Sequence, residues 1–151
     1  MKNNLQVITV PSEMPKSVTK ACSKVWAENI TAKHRDVLDF IPKNISSICY
    51  TYGPICYSPV SLSRDLVVHE STHTAQQGDN PDSWWDKYGD DPAFRYSQEL
   101  EAYRAQYKYI LANSNKSVAF NHAKRFATDM SSPMYGKMCT FNQALQDILL
   151  K

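Results

Sequence analysis

The stretch LSRDLVVHESTHTAQQG runs from Leu62 to Gly78 and carries the clearest motif in the chain. At its centre lies an HExxH motif, in which His69 and His73 stand on either side of Glu70. Side chains four residues apart project from one face of a helix, about a turn from each other, so both imidazoles can bind one zinc ion. Glu70, next to the first histidine, can accept a proton from an attacking water. The stretch therefore predicts a zinc-binding helix.

Signals at both ends indicate where this helix begins and ends. Ser61 and Ser63 are candidate N-caps, Asp65 suits the first turn, and Gly78 stands where a helix end favours a left-handed residue. The alternative interpretation is a solvated helix that carries two unrelated histidines. Because two of only four histidines fall in this motif, at metal-binding spacing, we favour the zinc site.

Length and composition predict one globular domain spanning residues 1–151, large enough to bury a core without disulfides. A hydrophobic content of 42% and a charged content of 21% are ordinary for a globular protein. The net charge of +2, with scattered lysines and arginines, gives no case for nucleic acid. The N-terminus MKNNLQVITVPSE has no apolar core of a signal peptide, and no run approaches a membrane span. We therefore expect a cytoplasmic protein without nucleic-acid or membrane partners.

The four cysteines show no CxxC spacing that would indicate a metal ribbon or a redox motif. Without a secretion signal we expect Cys22, Cys49, Cys56 and Cys139 to be thiols. A Cys49–Cys56 bridge across a hairpin is the alternative.

Periodicity and turn residues predict an α+β fold that is mostly helical, with a small antiparallel sheet. Gly53 and Pro54 separate two runs rich in β-branched and aromatic residues, which predicts a hairpin just before the zinc helix. This hairpin is expected to lie along the cleft, where its free edge can pair with an extended peptide. The predicted strands are Leu5–Val10, Ile48–Tyr52 and Ile55–Ser58; the other predicted helices start at Pro15, span Pro92–Ala112 and Ser117–Met130, and start at Thr140.

The acidic, turn-rich segment DNPDSWWDKYGDDP, at Asp79–Pro92, is predicted to be a loop. Unstructured loops of this length usually have a function, so we expect it to form a rim of the cleft, with Trp84 and Trp85 packed as a lid. Thr31–Lys43 shows no dominant period and is not assigned, and His34 within it is interpreted as a solvated loop residue.

The third zinc ligand has four candidates. Asp79 stands where an HExxHxxGxxH motif would place its third ligand, but Gln76 replaces the glycine that turns the chain back. His122 has no supporting spacing. Glu99 and Glu101 point about 200° apart on one predicted helix, so only one of them can face the zinc. Because Glu99 shares a mainly apolar face and Glu101 a polar one, we expect Glu99 to point inward.

At HESTHTAQQ, followed by QELEAYRAQ, the chain resembles the gluzincin class of zinc metallopeptidases, in particular small stand-alone bacterial and phage members whose helix reads HExxHxxQQ. In that class a second helix supplies a glutamate ligand, and the ExxA pattern here also selects Glu99. The resemblance implies a zincin-like fold in which an edge strand overlies the active-site helix. It also implies zinc as the cofactor and hydrolysis of a peptide bond in a peptide or protein substrate, with Glu70 as general base.

Four more residues are candidates for roles around the zinc. Gln77 faces the same side as His73 and can donate to substrate or to a ligand carboxylate, or can cap the helix end. Many relatives have an aspartate after the alanine of ExxA, where this chain has Tyr103, whose hydroxyl can serve as a hydrogen-bond partner of a ligand. His122 and Tyr135 are of a type that can stabilise an oxyanion, and His122 on an inward helix face is also typical of a core histidine.

Two alternative functions come from other classes. The protein can be a non-catalytic structural or binding module of a larger assembly such as a virion, with structural zinc. It can also be a small toxin or regulator that acts on one specific protein. An open metal position would favour an enzyme, and a fourth protein ligand would favour the module.

Overall fold

The computed structural model describes residues 6–8, 14–27 and 49–150. It confirms a mostly helical α+β fold with one small sheet. The elements in chain order are β1 Gln6–Ile8, α1 Lys16–Ala27, β2 Tyr50–Tyr52, β3 Ile55–Tyr57, α2 Arg64–Gln77, α3 Pro81–Asp90, α4 Pro92–Asn113, α5 Lys116–Met130, a 3-10 turn Pro133–Tyr135 and α6 Phe141–Leu149.

The sheet has the strand order β1-β3-β2 and is mixed. The predicted hairpin is present, with Thr51 paired to Cys56 in antiparallel register. β1 instead runs parallel to β3, with Gln6 paired to Ile55. The prediction of an antiparallel sheet therefore holds for the hairpin alone. The connection that follows β1 contains α1 and is long enough to bring the chain back, so that β3 lies parallel to β1.

Part of the sequence interpretation lies outside the described residues. This applies to the ends of the predicted first strand, to Ile48, and to the unassigned segment Thr31–Lys43 with His34.

The prediction of a loop at Asp79–Pro92 is wrong, because this segment contains α3. Its turn-forming residues act as helix caps. The Asn80 side chain accepts a hydrogen bond from the backbone of Ser83, and Pro81 occupies the first helical turn. Asp91 ends α3 and caps α4 in turn, accepting from the first backbone amides of that helix. The polar residues of this segment thus cap two adjoining helices, and a prediction from composition alone takes them for one loop.

The inward face of α3 packs on α1. Trp84, Trp85 and Tyr88 are buried with α1 residues in one core cluster, so the two tryptophans form core rather than a lid. A Cβ atom at Gly89 would come 2.8 Å from the Cα atom of Ala21, which shows that the glycine permits the close approach of the two helices.

α4 is the central helix and packs against α2 on one side and against α5 and α6 on another. Thr140 caps α6 by accepting from the backbone of Gln143, as its sequence predicts. The second core cluster lies between α4, α5 and α6. This packing holds α4 against α2. Among the described helices, none combines the length and the hydropathy that a membrane span requires.

Candidate metal centre

The facing surfaces of α2 and α4 bring together His69, His73 and Glu99. The two Nε2 atoms lie 3.2 Å apart, and each lies 3.3 Å from Oε1 of Glu99. All three side chains are buried, with residue exposures of 4%, 5% and 3%. These are the three ligands predicted from the sequence, and the fold places their nearest nitrogen and oxygen atoms in a nearly equilateral triangle.

The size of this triangle suits a metal ion. Zinc binds nitrogen and oxygen ligands at about 2.0–2.2 Å, and ligand atoms at tetrahedral angles around it lie roughly 3.3–3.5 Å apart. Oε1 of Glu99 is buried and has no hydrogen-bond partner among the described residues. A buried acceptor without a partner is costly unless something else satisfies it. The three residues can therefore hold a metal ion between them.

The other oxygen of Glu99 is held by Tyr88. The Tyr88 hydroxyl donates to Oε2 at 2.6 Å, and buried Arg95 donates to the Tyr88 carbonyl at 2.7 Å. Arg95 also donates to the carbonyl of Tyr135 at 3.0 Å, which ties α4 to α3 and to the 3-10 turn. Tyr88 was not predicted to have a role because it lies in the segment that was expected to be a loop. Its position four residues after Trp84 was the available signal.

A glutamine fixes the orientation of each histidine, and the first is Gln106. Its Oε1 lies 3.1 Å from Nδ1 of His69, and its Nε2 donates to Asp65 at 2.7 Å. Because the amide nitrogen is engaged with a carboxylate, the amide oxygen is left to accept a proton from Nδ1 of the ring. Nε2 of His69 is then the unprotonated nitrogen, which is the form that binds metal.

Gln76 does the same for His73. Its Oε1 lies 2.8 Å from Nδ1 of the ring, and its Nε2 donates to the carbonyl of Gln98 at 2.9 Å and to Glu101 at 2.7 Å. Neither glutamine was assigned a role from sequence. Gln106 could have been found from its place on the face that carries Glu99, seven residues earlier.

Gln106→Ala is expected to weaken metal binding about 10–100-fold, because loss of such an outer hydrogen-bond partner frees the ligand ring to rotate and to change tautomer. Gln143→Ala, on the exposed side of α6, is the matched control. Competition with a coloured chelator measures both affinities. Equal affinities in the two variants would show that Gln106 does not orient His69.

Glu70 lies beside the triangle rather than in it. Its Oε2 is 3.8 Å from Nε2 of His69, and its Oε1 accepts a hydrogen bond from the Thr51 hydroxyl at 2.7 Å. Thr51 belongs to β2, so the hairpin positions the carboxylate that the motif predicts to be the base. The segments predicted to border the cleft both lie at the site, since the ring of Trp84 on α3 is centred 5.3 Å from that of His73.

Gln77 bonds to the hairpin and not to a ligand. Its Oε1 accepts from the backbone of Gly53 at 2.7 Å, and its Nε2 donates to the carbonyl of Thr51 at 2.8 Å. Trp85 donates to the same carbonyl at 3.0 Å. The carbonyl of Thr51 is thus occupied by α2 and α3 side chains, so β2 does not offer an extended peptide the free edge that was expected at this residue.

Tyr103, His122 and Tyr135 all line the cavity in front of the triangle. The ring of Tyr103 packs edge-on against His69, with centroids 4.4 Å apart. Its hydroxyl lies 3.0 Å from the Tyr135 hydroxyl, so Tyr103 supports the ligand by packing and not by the expected hydrogen bond. His122 is half-buried beside Phe126, which fits neither a ligand nor a fully enclosed core histidine.

The cavity has a volume of about 720 Å³ and reaches the metal triangle, Glu70 and Thr51. Its walls are largely aromatic and apolar and come from all the helices except α6, from the hairpin and from the 3-10 turn, with α2 contributing the largest number of lining residues. Pockets that bind organic ligands have this size and lining. The site therefore has room for a substrate next to a metal ion.

The charges of the triangle are strongly coupled. Burial lowers the pKa of His73, but the Glu99 carboxylate outweighs burial, and the net effect raises the pKa from 6.5 to about 9. Burial raises the pKa of Glu99, and both histidines outweigh it, so that this pKa falls well below its usual range. Without a metal, the site is thus stabilised by an imidazolium and a carboxylate.

The metal-free protein is expected to lose stability as the pH rises from 6.5 to about 9. Because the folded state holds the His73 proton more tightly, this contribution is complete below the unfolded pKa and disappears as the pH passes the folded pKa. The Glu99 contribution is present above the ordinary carboxyl pKa and is lost only as the pH falls, so it does not offset the effect. Urea unfolding across this range measures the loss. His73→Gln should remove most of the slope, and an unchanged slope would contradict the assignment.

Comparison of the chain with protein-family models, curated proteins and solved structures gives no match.

Proposed function

We propose that the protein is a zinc-dependent peptidase of the gluzincin type, in which His69, His73 and Glu99 hold the zinc. The observation that carries the proposal is the triangle of ligand atoms, 3.2–3.3 Å on each side, with the Glu70 carboxylate beside it and a cavity in front. Glu70 is the general base.

The ligand set favours zinc, and a catalytic rather than a structural ion. Two imidazoles and one carboxylate make up the donor set of well-known catalytic zinc sites, which keep one position open. Structural zinc sites are usually closed by four protein ligands. Among the described residues, the group around the triangle contains three donors and no fourth. This supports an enzyme over the structural module of a larger assembly.

The residues of the chain divide the chemistry between them. Bound zinc would lower the pKa of the attacking water and would polarise the scissile carbonyl. Glu70 takes the proton of the attacking water and passes it to the leaving amine. The hydrogen bond from Thr51 holds one Glu70 oxygen, which leaves the other free for the proton. Gln106 and Gln76 keep the histidine rings in the metal-binding tautomer.

The lining of the cavity points to a peptide with large apolar side chains as substrate. Leu62 lies just before α2 and Leu66 in its first turn, and Phe126 and Met134 lie on other elements that line the same cavity. Leu66 is 38% exposed, so apolar surface is available to a ligand. Burial of such surface contributes about 25 cal/mol per Å².

The test is cleavage of a mixed-sequence peptide library by the zinc-loaded protein, with the products identified by mass spectrometry. We expect new termini that disappear after chelation and return with added zinc. A parallel search for new termini in whole-cell extract covers the case of a single protein target. X-ray absorption gives the number of protein ligands on the zinc. Absence of cleavage in both mixtures, together with four protein ligands, would favour the structural module and refute the peptidase.

A further inference from the structure

A second group of side chains that could hold a metal ion adjoins the first centre. This group includes Glu70, the general base of the proposed reaction. Sγ of Cys49, Sγ of Cys56 and a carboxylate oxygen of Glu70 all lie within 4.8 Å of one another. The two sulfur atoms are 3.4 Å apart. Cys56 is fully buried and Cys49 is exposed, so the pair is protected on one side and reachable from the other.

The hairpin places both thiols on one face. Cys56 pairs directly with Thr51 in the sheet register, and Cys49 precedes Thr51 by two residues. Because side chains alternate along a strand, Cys49, Thr51 and Cys56 point to the same side of the sheet. Thr51 donates to Glu70 from that side, so the shared face is turned towards α2.

This arrangement suits a bridging cation better than a disulfide. By the register, Cys49 stands diagonally to Cys56, and diagonal neighbours have Cα atoms about 7–8 Å apart, beyond the roughly 4.4–6.8 Å of disulfides. Two thiolates on one zinc ion, each at about 2.3 Å, lie roughly 3.8 Å apart. The observed 3.4 Å needs a shift of a few tenths of an ångström to reach that separation.

Protons compete with a cation for the side chains of this group. The hydrogen bond between the two thiols, the removal of the Cys49 sulfur atom from water and the nearby Glu70 carboxylate raise the pKa of the Cys49 thiol, although the residue as a whole is exposed. The Cys49 thiol therefore keeps its proton until a divalent ion displaces it, and this proton release makes binding weaker than at a preformed anionic site. Thiolates are soft ligands and select ions such as Zn²⁺, Cd²⁺ and Co²⁺ over Mg²⁺ or Ca²⁺.

We propose that Cys49, Cys56 and Glu70 form a second, weaker site for a thiophilic divalent cation, and that its occupation inhibits the enzyme. Binding there turns the Glu70 carboxylate into a ligand, so Glu70 can no longer accept the proton of the attacking water. The inhibitory effect rests on the proposed peptidase function, whereas the metal site itself does not.

Titration of the metal-free full-length protein with Co²⁺, under a non-thiol reductant, tests the site without any activity measurement. The two sites differ in colour, because thiolate ligands give an intense near-ultraviolet charge-transfer band and the histidine–carboxylate site has no sulfur. We expect the first equivalent of Co²⁺ to add visible ligand-field bands alone, and the second to add the charge-transfer band. Absence of that band at saturating Co²⁺ would overturn the proposal.

Two variants locate the band. Cys49→Ser, at an exposed position, should abolish the charge-transfer band and keep the first-equivalent spectrum. Cys139→Ser, a part-buried cysteine that bonds to the Met130 carbonyl, is the matched control and should leave both features unchanged. Persistence of the band in Cys49→Ser, or a Cys49–Cys56 disulfide found by peptide mapping under the same reductant, would refute the second site.

An activity measurement then tests the inhibition. Excess Zn²⁺ should inhibit peptide cleavage by wild type and should no longer inhibit Cys49→Ser. Equal inhibition of both proteins would overturn the inhibitory role. If neither protein cleaves any peptide, the proposed function fails, and the cobalt titration still decides whether the second site exists.

Discussion

Glu99→Ala is expected to abolish tight zinc binding, while Glu101→Ala leaves the affinity nearly unchanged. Glu99 contributes the one anionic atom of the triangle, 3.3 Å from both histidine nitrogens. Its removal should therefore cost more than the roughly 10–100-fold that follows from loss of an outer hydrogen-bond partner. Glu101 reaches the site only through Gln76, which keeps its bond to the Gln98 carbonyl when the carboxylate is removed.

Isothermal titration or chelator competition gives both zinc affinities, with circular dichroism as the check on folding. Glu99→Ala also leaves the buried Tyr88 hydroxyl without its acceptor, at a cost of about 1–3 kcal/mol. Glu99→Gln is the companion variant, because its amide oxygen can still accept that hydrogen bond while the negative charge is lost. Tight zinc binding by both Glu99 variants, or its loss in Glu101→Ala, would show that a different residue completes the site.

Glu70→Gln is expected to keep stoichiometric zinc and the native fold but to lose cleavage by about 10²–10⁴-fold, the range typical of a missing general acid–base group. The carboxylate lies 3.8 Å from Nε2 of His69 and outside the ligand triangle, so zinc does not need it. The glutamine oxygen can still accept the hydrogen bond from Thr51, which preserves the link between β2 and α2. What the variant loses is a group that can accept a proton.

Atomic absorption measures whether Glu70→Gln retains zinc, and cleavage of the most reactive library peptide measures its loss of activity. Asp86→Asn, an exposed carboxylate on α3, is the control for the same chemical change away from the site. Wild-type cleavage by Glu70→Gln would refute the general-base role. Loss of zinc in this variant would instead place Glu70 among the ligands.

Most of the candidate metal centre could be predicted from local sequence patterns. The spacing of His69 and His73 depends only on helix geometry, and the α2 helix around them is present with Gly78 at its end. The choice of Glu99 over Glu101 followed from the polarity of two helix faces, and Glu99 is 3% exposed at the interface with α2. These three residues could be predicted from the sequence because each prediction depends only on neighbours within two turns of one helix.

Hydrogen-bond partners from distant parts of the chain could not be predicted in this way. Sequence placed Gln77 next to the ligands by its spacing, but the hairpin supplies nearer partners at Gly53 and Thr51. Tyr103 was expected to bond to a ligand, yet its hydroxyl meets Tyr135 from the 3-10 turn. In both cases helix geometry gave the direction of the side chain, and a separate element decided which group met it.

Local sequence patterns were sufficient to predict the HExxH helix, the helical character of the chain, the face of α4 that carries Glu99, and a hairpin ahead of α2, and the caps of α3 were also local signals. The contacts of Tyr88 and of two glutamines with the site residues, and the parallel pairing of β1, depend instead on tertiary packing. The physical reason is the range of the interactions. Helix periodicity and capping act within a few residues, whereas a hydrogen-bond partner or a strand neighbour is selected by packing between distant segments.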